Sequence, residues 1–374
     1  MSTFPNLTDW SQISSRPFSK YAADIEAMGT ARFPLHIGDT HLPPPESAKL
    51  SSLCHETNTG LHKYCPPKGL PSLVTAIAQE YKVSPKRVMI VPGATGGLHI
   101  SAMSTLSPGD EVLVLAPFWP LAAGIIRAVG AVPVPVPYFG SVGSAWDKMH
   151  PFITNKTVGV YCNTPNNPSG MMLTPEEVSD IASVAVEQGW WIYADEVYEK
   201  LIYQGTHTPI RQFAPNNTIS IFSFSKAYAM AGYRCGYVIL PAESMEDTFL
   251  KGMVHSFYSV PTAAQVMAVK VLETEGAWLE DTKRVYHQTG AQVARILRQP
   301  TPTNGTFLFM NIAPALKERT FETFMKACIA EKMLLAPGSA FGKGYATHIR
   351  ICFTSADPEV VVEGATILQQ ILER

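Results

Sequence analysis

The chain is 374 residues long, 46% hydrophobic and 16% charged, with a formal net charge of −2. That length exceeds one ordinary hydrophobic core, so two subdomains are expected. The near-neutral balance excludes a general nucleic-acid surface or a polybasic membrane patch and leaves small molecules or protein partners.

Taken in chain order, residues 1–44 are Pro-rich and weakly periodic and are expected to form an arm that packs on a smaller domain. The opening "MSTFPNLTDWSQ" has neither the basic start nor the apolar core of a signal peptide. Residues 45–270 then read as a large α/β domain. Its expected strands are "VMIVPG", "EVLVLAP", "VPVPVPY", "TVGVYCNTP", "WWIYADE", "TISIFSFS" and "RCGYVILP", near-continuous apolar runs of the kind covered on both faces. Between them "GGLHISAMSTLS", "WPLAAGIIRAVG" and "TPEEVSDIASVAVEQG" read as helices. The third carries a capping box of Thr174 and Glu177, Pro175 at the first helical position and Gly189 at its end. This alternation implies a seven-stranded, mostly parallel sheet.

The pattern changes in residues 271–374, where long amphipathic stretches mix with the short strands "TFLFMNI" and "HIRICF", marking a smaller α+β domain assembled with the N-terminal arm. The longest apolar run, from Val112 to Ile126, is too short for a bilayer and is broken by Pro117 and Pro120. Cys54, Cys65, Cys162, Cys235, Cys328 and Cys352 are scattered, with no CxxC pair and no zinc-site spacing. A reduced, cytoplasmic protein without a metal centre or membrane partner is expected.

The unusual polar residues collect at strand ends, where open α/β sheets bind ligands. "PGATGG" follows the first strand and opens a helix, so its N–H groups can cradle a phosphate. "NTPNNPSG" crowds Asn163, Asn166 and Asn167 around prolines after the fourth strand. Asp195 leaves a buried strand and needs a cation or N–H donor, with Tyr198 three residues on. In "SFSKAYAMAGYRCG", Lys226 ends a buried strand, and desolvation there favours the neutral amine that forms Schiff bases. Arg234 cannot lose its proton and needs an anion, for which a phosphate suits its fork. Together these groups describe a site for a phosphorylated carbonyl compound.

With these residues in view the chain resembles the class I/II aminotransferases, pyridoxal-phosphate enzymes of fold type I typified by aspartate aminotransferase. The resemblance rests on S-x-S-K with G-x-R-x-G (Ser223, Ser225, Lys226, Gly232, Arg234, Gly236) and on "NNPSG", "YADEVY", "HKYCPPKG", "APFWP", "PGSAFG" and "HIRICF", in family order from about Gly38 to Arg350. It implies pyridoxal 5′-phosphate held by Lys226 as a Schiff base, with Lys226 then moving protons. It implies Asp195 on the pyridine nitrogen, Asn167 and Tyr198 on the ring hydroxyl, and Trp119 stacked on the ring. Gly93, Ala94, Thr95, Ser223 and Arg234 would hold the phosphate, joined by Tyr64 from the neighbouring subunit of a homodimer with shared active sites. Arg350 would grip the α-carboxylate of an amino-acid substrate, with the Gly38 backbone approaching it, and a keto acid would serve as co-substrate.

The family's G-E-P-D-F-like stretch is replaced here by "GDTHLPPP", which brings Asp39, Thr40 and His41 after Gly38 and makes His41 a candidate for substrate recognition. Transamination is the expected reaction. The alternative is a cyclase, dehydratase or lyase that eliminates a β- or γ-substituent, with an arginine-derived substrate among the options. A non-catalytic cofactor-binding regulator is the reading from another class, and the presence of both Lys226 and Asp195 speaks against it.

Overall fold

The computed structural model describes residues 19–274 and 276–374. Residues 1–18 of the expected N-terminal arm lie outside them. The large sheet contains β1 (Val88–Val91), β2 (Glu111–Ala116), β3 (Val132–Pro137), β4 (Thr157–Asn163), β5 (Trp191–Asp195), β6 (Thr218–Ser223) and β7 (Gly236–Ile239). Their order is β1-β7-β6-β5-β4-β2-β3. β7 runs antiparallel to both β1 and β6, and the other neighbours pair in parallel.

Side chains alternate across this sheet. Val112, Val114, Tyr161, Tyr193 and Ile221 pack into one core, while Leu113, Leu115, Val160, Cys162, Ile192 and Ala194 pack into another on the opposite face. Both faces are covered, as the apolar runs predict, except at β3. That strand pairs only with β2, and Val132 is 45% exposed, so the prolines of "VPVPVP" sit on a sheet edge where missing N–H donors are tolerated.

The helix Pro175–Gln188 has the expected capping box: Thr174 Oγ1 accepts from Glu177 N at 3.2 Å, and Thr174 N donates to Glu177 Oε2 at 3.0 Å. Gly189 ends it at φ 68°, the left-handed conformation that a glycine adopts without strain. Val178 and Ile181 on its inner face are fully buried, each worth about 2 kcal/mol in apolar surface removed from water.

A second sheet, β8 (Phe307–Asn311), β9 (Ala336–Pro337) and β10 (His348–Cys352), is antiparallel in the order β8-β10-β9. It shares a core with the helices Gly276–Ile296 and Pro358–Glu373 and with Phe33 and Leu35. Residues 33–41 run beside this unit through backbone bonds: Leu334 N to Phe33 O, Cys352 N to Leu35 O and His41 N to Thr354 O. The segment is thereby carried to the mouth formed by the large sheet's strand ends. No helix among the described residues is long and apolar enough to cross a membrane.

Candidate active site

β4, β5 and β6 end beside one another, with the end of β1 across the antiparallel β7, and they open into a cavity of about 240 Å³. Gly38, Ala94, Thr95, Trp119, Asn167, Asp195, Tyr198, Ser223, Lys226, Arg234 and Arg350, all expected from sequence, line it, while the expected Gly93 borders it without lining it. Asn163 and Ser225, which the sequence motifs contain without an assigned role, line it as well, together with Val197 and Ala231, which the sequence pattern did not single out. Asn163 explains its own presence: its amide donates to Asp195 O at 2.8 Å and its Oδ1 accepts from Asn167 N at 2.6 Å, fixing the prolyl loop against β5.

Asp195 is buried, and its Oδ2 accepts the Tyr161 phenol at 2.6 Å while Oδ1 has no hydrogen-bond partner. Desolvation raises its pKa to about 6, against the opposing effects of the Tyr161 hydroxyl, the Val197 N–H and the Lys226 charge. Lys226 sits in the short helix Phe224–Ala227, which Ser223 caps by accepting from Ser225 N at 3.1 Å. Its ammonium donates to Gly38 O. Burial lowers its pKa, Asp39 and Cys352 act the other way, and Arg350 and Arg234 add to the lowering.

The phosphate side is built by close backbone approach. Gly93 stands at φ 68° at the start of the helix Gly93–Thr105, and a Cβ there would lie 2.5 Å from Arg234 Nη2. A Cβ on Gly236 would lie 2.5 Å from Phe222 O and 3.0 Å from the Gly93 backbone. Both glycines therefore let Arg234 and the helix N-terminus, with its unpaired N–H groups, share one corner.

Across the cavity Arg350 is buried. Its Nη1 donates to Asn167 Oδ1 at 2.8 Å and its Nη2 to His36 O at 2.5 Å, while Nε is unpartnered. The guanidinium lies 4.4 Å from the Phe307 ring centroid and 5.1 Å from that of Phe341. No carboxylate among the described residues pairs with it, and burial lowers its pKa. Gly38 closes this wall: a Cβ there would meet Phe307 Cζ at 2.9 Å. Tyr198 is buried edge-on to Phe307, with ring centroids 5.7 Å apart.

Two expected residues lie elsewhere within this chain. Tyr64 is 85% exposed, its ring tilted at 59° to that of Tyr258 with centroids 4.8 Å apart, outside the cavity. His41 is also absent from the cavity lining; its Nδ1 lies 3.3 Å from Thr354 O and its ring 6.0 Å from that of Tyr286.

The donor set fits pyridoxal 5′-phosphate. The orphaned Asp195 Oδ1 matches a protonated pyridine nitrogen, the Gly93 corner with Arg234 matches a phosphate, and a buried lysine of weakened basicity matches an aldehyde. Fold and site together define a pyridoxal-phosphate-dependent enzyme of fold type I. The family model "Aminotransferase class I and II" matches residues 33–368, and the chain belongs to that family. It is similar to the aspartate/prephenate aminotransferase of Thermus thermophilus, 28% identical over 90% of each chain. It is also similar to the aspartate aminotransferase of Pyrococcus abyssi, 30% identical over 86% of this chain and 87% of that one. The structure of the Thermus thermophilus aspartate aminotransferase with maleate shares the fold, with a TM-score of 0.88 at 24% identity, covering 98% of this chain and 100% of that one. The chain is thus a pyridoxal-phosphate-dependent aminotransferase, acting on amino acids and keto acids.

Proposed function

We propose that the enzyme moves the amino group of an α-amino acid to a 2-oxo acid with the division of labour that the cavity supports. Arg350 carries this reading. It is a buried guanidinium held by two neutral oxygens, and an α-carboxylate is the planar anion that its fork matches. Gly38 and Asn167 flank that carboxylate, and Lys226 stands on the same side of the cavity as Gly38, to whose carbonyl it is bonded.

When bound, pyridoxal phosphate supplies the electron sink that lets the substrate Cα release a proton. Lys226, with its basicity lowered by burial, takes that proton and returns it. Asp195 holds the ring nitrogen, Asn167 and Tyr198 the ring hydroxyl, and Trp119 one ring face. Gly93, Ala94, Thr95, Ser223 and Arg234 hold the phosphate. Tyr64, exposed beside Phe257 and Tyr258, supports a homodimer in which it reaches the partner's phosphate. Residues 45–270 form the large domain and the remainder the small one, and His41 belongs to the segment that runs to the cavity mouth at Gly38. The unpaired state of all six cysteines supports a cytoplasmic location.

The test is incubation of the holoenzyme with single amino acids and a 2-oxo acid, with mass analysis of the products. Aspartate and aromatic amino acids come first, because relatives carry those names. Release of the matching 2-oxo acid is the expected result. A product lighter by one water, with no 2-oxo acid, would replace transamination by elimination.

A further inference from the structure

Parity along the parallel strands decides which residues meet Asp195. Asn163 pairs with Asp195 in register, and Tyr161 with Tyr193, so Tyr161, Asn163, Tyr193 and Asp195 all project to the same face. Tyr161 is therefore the diagonal neighbour of Asp195, two residues back on β4, and a tyrosine is long enough to bridge that diagonal. The bridge is made: Tyr161 Oη donates to Asp195 Oδ2 at 2.6 Å with both side chains buried. This leaves Oδ1, the oxygen without a partner, as the one available to the cavity.

We propose that Tyr161 is a positioning residue for the cofactor: its phenol holds the Asp195 carboxylate ionised and turned so that Oδ1 meets the ring nitrogen. The proposal rests on the cofactor reading above and adds a residue to it. A carboxylate in this place has few friends. Burial opposes its charge, and Glu196 beside it adds like-charge repulsion. Cys162 on β4 and Tyr198 beyond β5 are buried groups that the same carboxylate discourages from ionising. Lys226 and the Val197 N–H also favour the carboxylate, each by less than the Tyr161 hydroxyl, which is the main counterweight to desolvation. Its own proton is secured, because burial and the adjacent carboxylate both raise its pKa.

Removing the hydroxyl makes the carboxylate more basic, so it draws the proton away from the ring nitrogen. A less protonated ring withdraws fewer electrons, and the nitrogen contributed by Lys226 then keeps its proton to higher pH. In Tyr161→Phe holoenzyme, the midpoint of the pH titration of the visible cofactor band should rise by about half to one pH unit. The cofactor dissociation constant should rise roughly tenfold, and kcat should fall more than KM changes. In an Asp195→Asn background the same substitution should add no further shift, since the phenol has no carboxylate left to act on.

A purely structural phenol would lower the thermal midpoint and leave the titration midpoint where it was, and that result overturns the proposal. So does an equal shift in the Asp195→Asn background. Absence of any visible band in the wild-type protein loaded with pyridoxal phosphate would instead defeat the cofactor reading and the proposal with it.

Discussion

Burial disfavours charge on both walls of the cavity, but the unmet ion is an acid on one wall and a base on the other. On the sheet side, burial raises the pKa of Asp195 to about 6, and behind that wall, outside the cavity, it raises Glu199 to about 7 and the phenols of Tyr81, Tyr161 and Tyr237 as well. On the β10 side, burial lowers the pKa of bases: His36 to about 4, with Arg350 adding its own repulsion, and Arg350 itself. Each wall thus holds an ion that its surroundings disfavour, and a ligand of opposite sign relieves it. The lesson is that unmet charges carry the proposed site, with a ring cation at Asp195 and a carboxylate at Arg350.

The sharpest way to break this comparison is at Arg350. Arg350→Ala should lower kcat/KM for amino acids by about 3 kcal/mol while leaving cofactor binding and turnover of the corresponding primary amines nearly unchanged. An equal loss for amines would detach Arg350 from the carboxylate.

The acids behind the sheet wall have their own signature in stability. Glu199 ionises at about 7 in the folded chain instead of at 4.5, so between those values the folded state keeps a proton that the unfolded chain has released. Its contribution to stability therefore falls as pH rises through that window. Glu199→Gln should flatten this part of the unfolding profile and stabilise the protein at pH 8 by on the order of 2 kcal/mol. An unchanged slope would show that Tyr81 and Lys200 already neutralise the group.

Between the walls lies the corner proposed for the phosphate, and comparing its Gly93 with Gly189, a helix-end glycine of the same φ outside the cavity, separates function from strain. Gly93→Ala places a methyl against Arg234 and should weaken cofactor binding roughly tenfold, besides costing about 1 kcal/mol in stability. Gly189→Ala meets nothing within 4 Å and should show the stability cost alone. Equal effects on the cofactor would remove the corner from the phosphate site. The smallest effect is expected at the proposed dimer contact: Tyr64→Phe should raise the cofactor dissociation constant by a few-fold, on the order of one hydrogen bond, as read by equilibrium dialysis.

The two walls also differ in how far the sequence discloses them. The sheet wall is local: Asp195 terminates β5, Ser223 terminates β6 with Lys226 three residues on, and turn chemistry marks each strand end. The capping box at Thr174 was legible for the same reason, since its two members are three residues apart. The β10 wall is not local. Arg350 meets Asn167 across 183 residues and His36 across 314, and no periodicity connects them. Only the family resemblance pointed to Arg350. Tyr161 was missed on the sheet side because a tyrosine inside "VGVYCN" reads as core, and its hydroxyl becomes informative only when strand register sets it diagonal to Asp195. The exposed edge at β3 was missed because the strand order decides which run is covered, and that order is a tertiary fact.

The central claim is that Lys226 holds pyridoxal phosphate in this cavity. The direct measurement is borohydride reduction of the cofactor-loaded protein followed by peptide mass mapping. The account predicts a phosphopyridoxyl adduct on the peptide carrying Lys226, abolished in Lys226→Ala. An adduct confined to other lysines, or none at all, would contradict it.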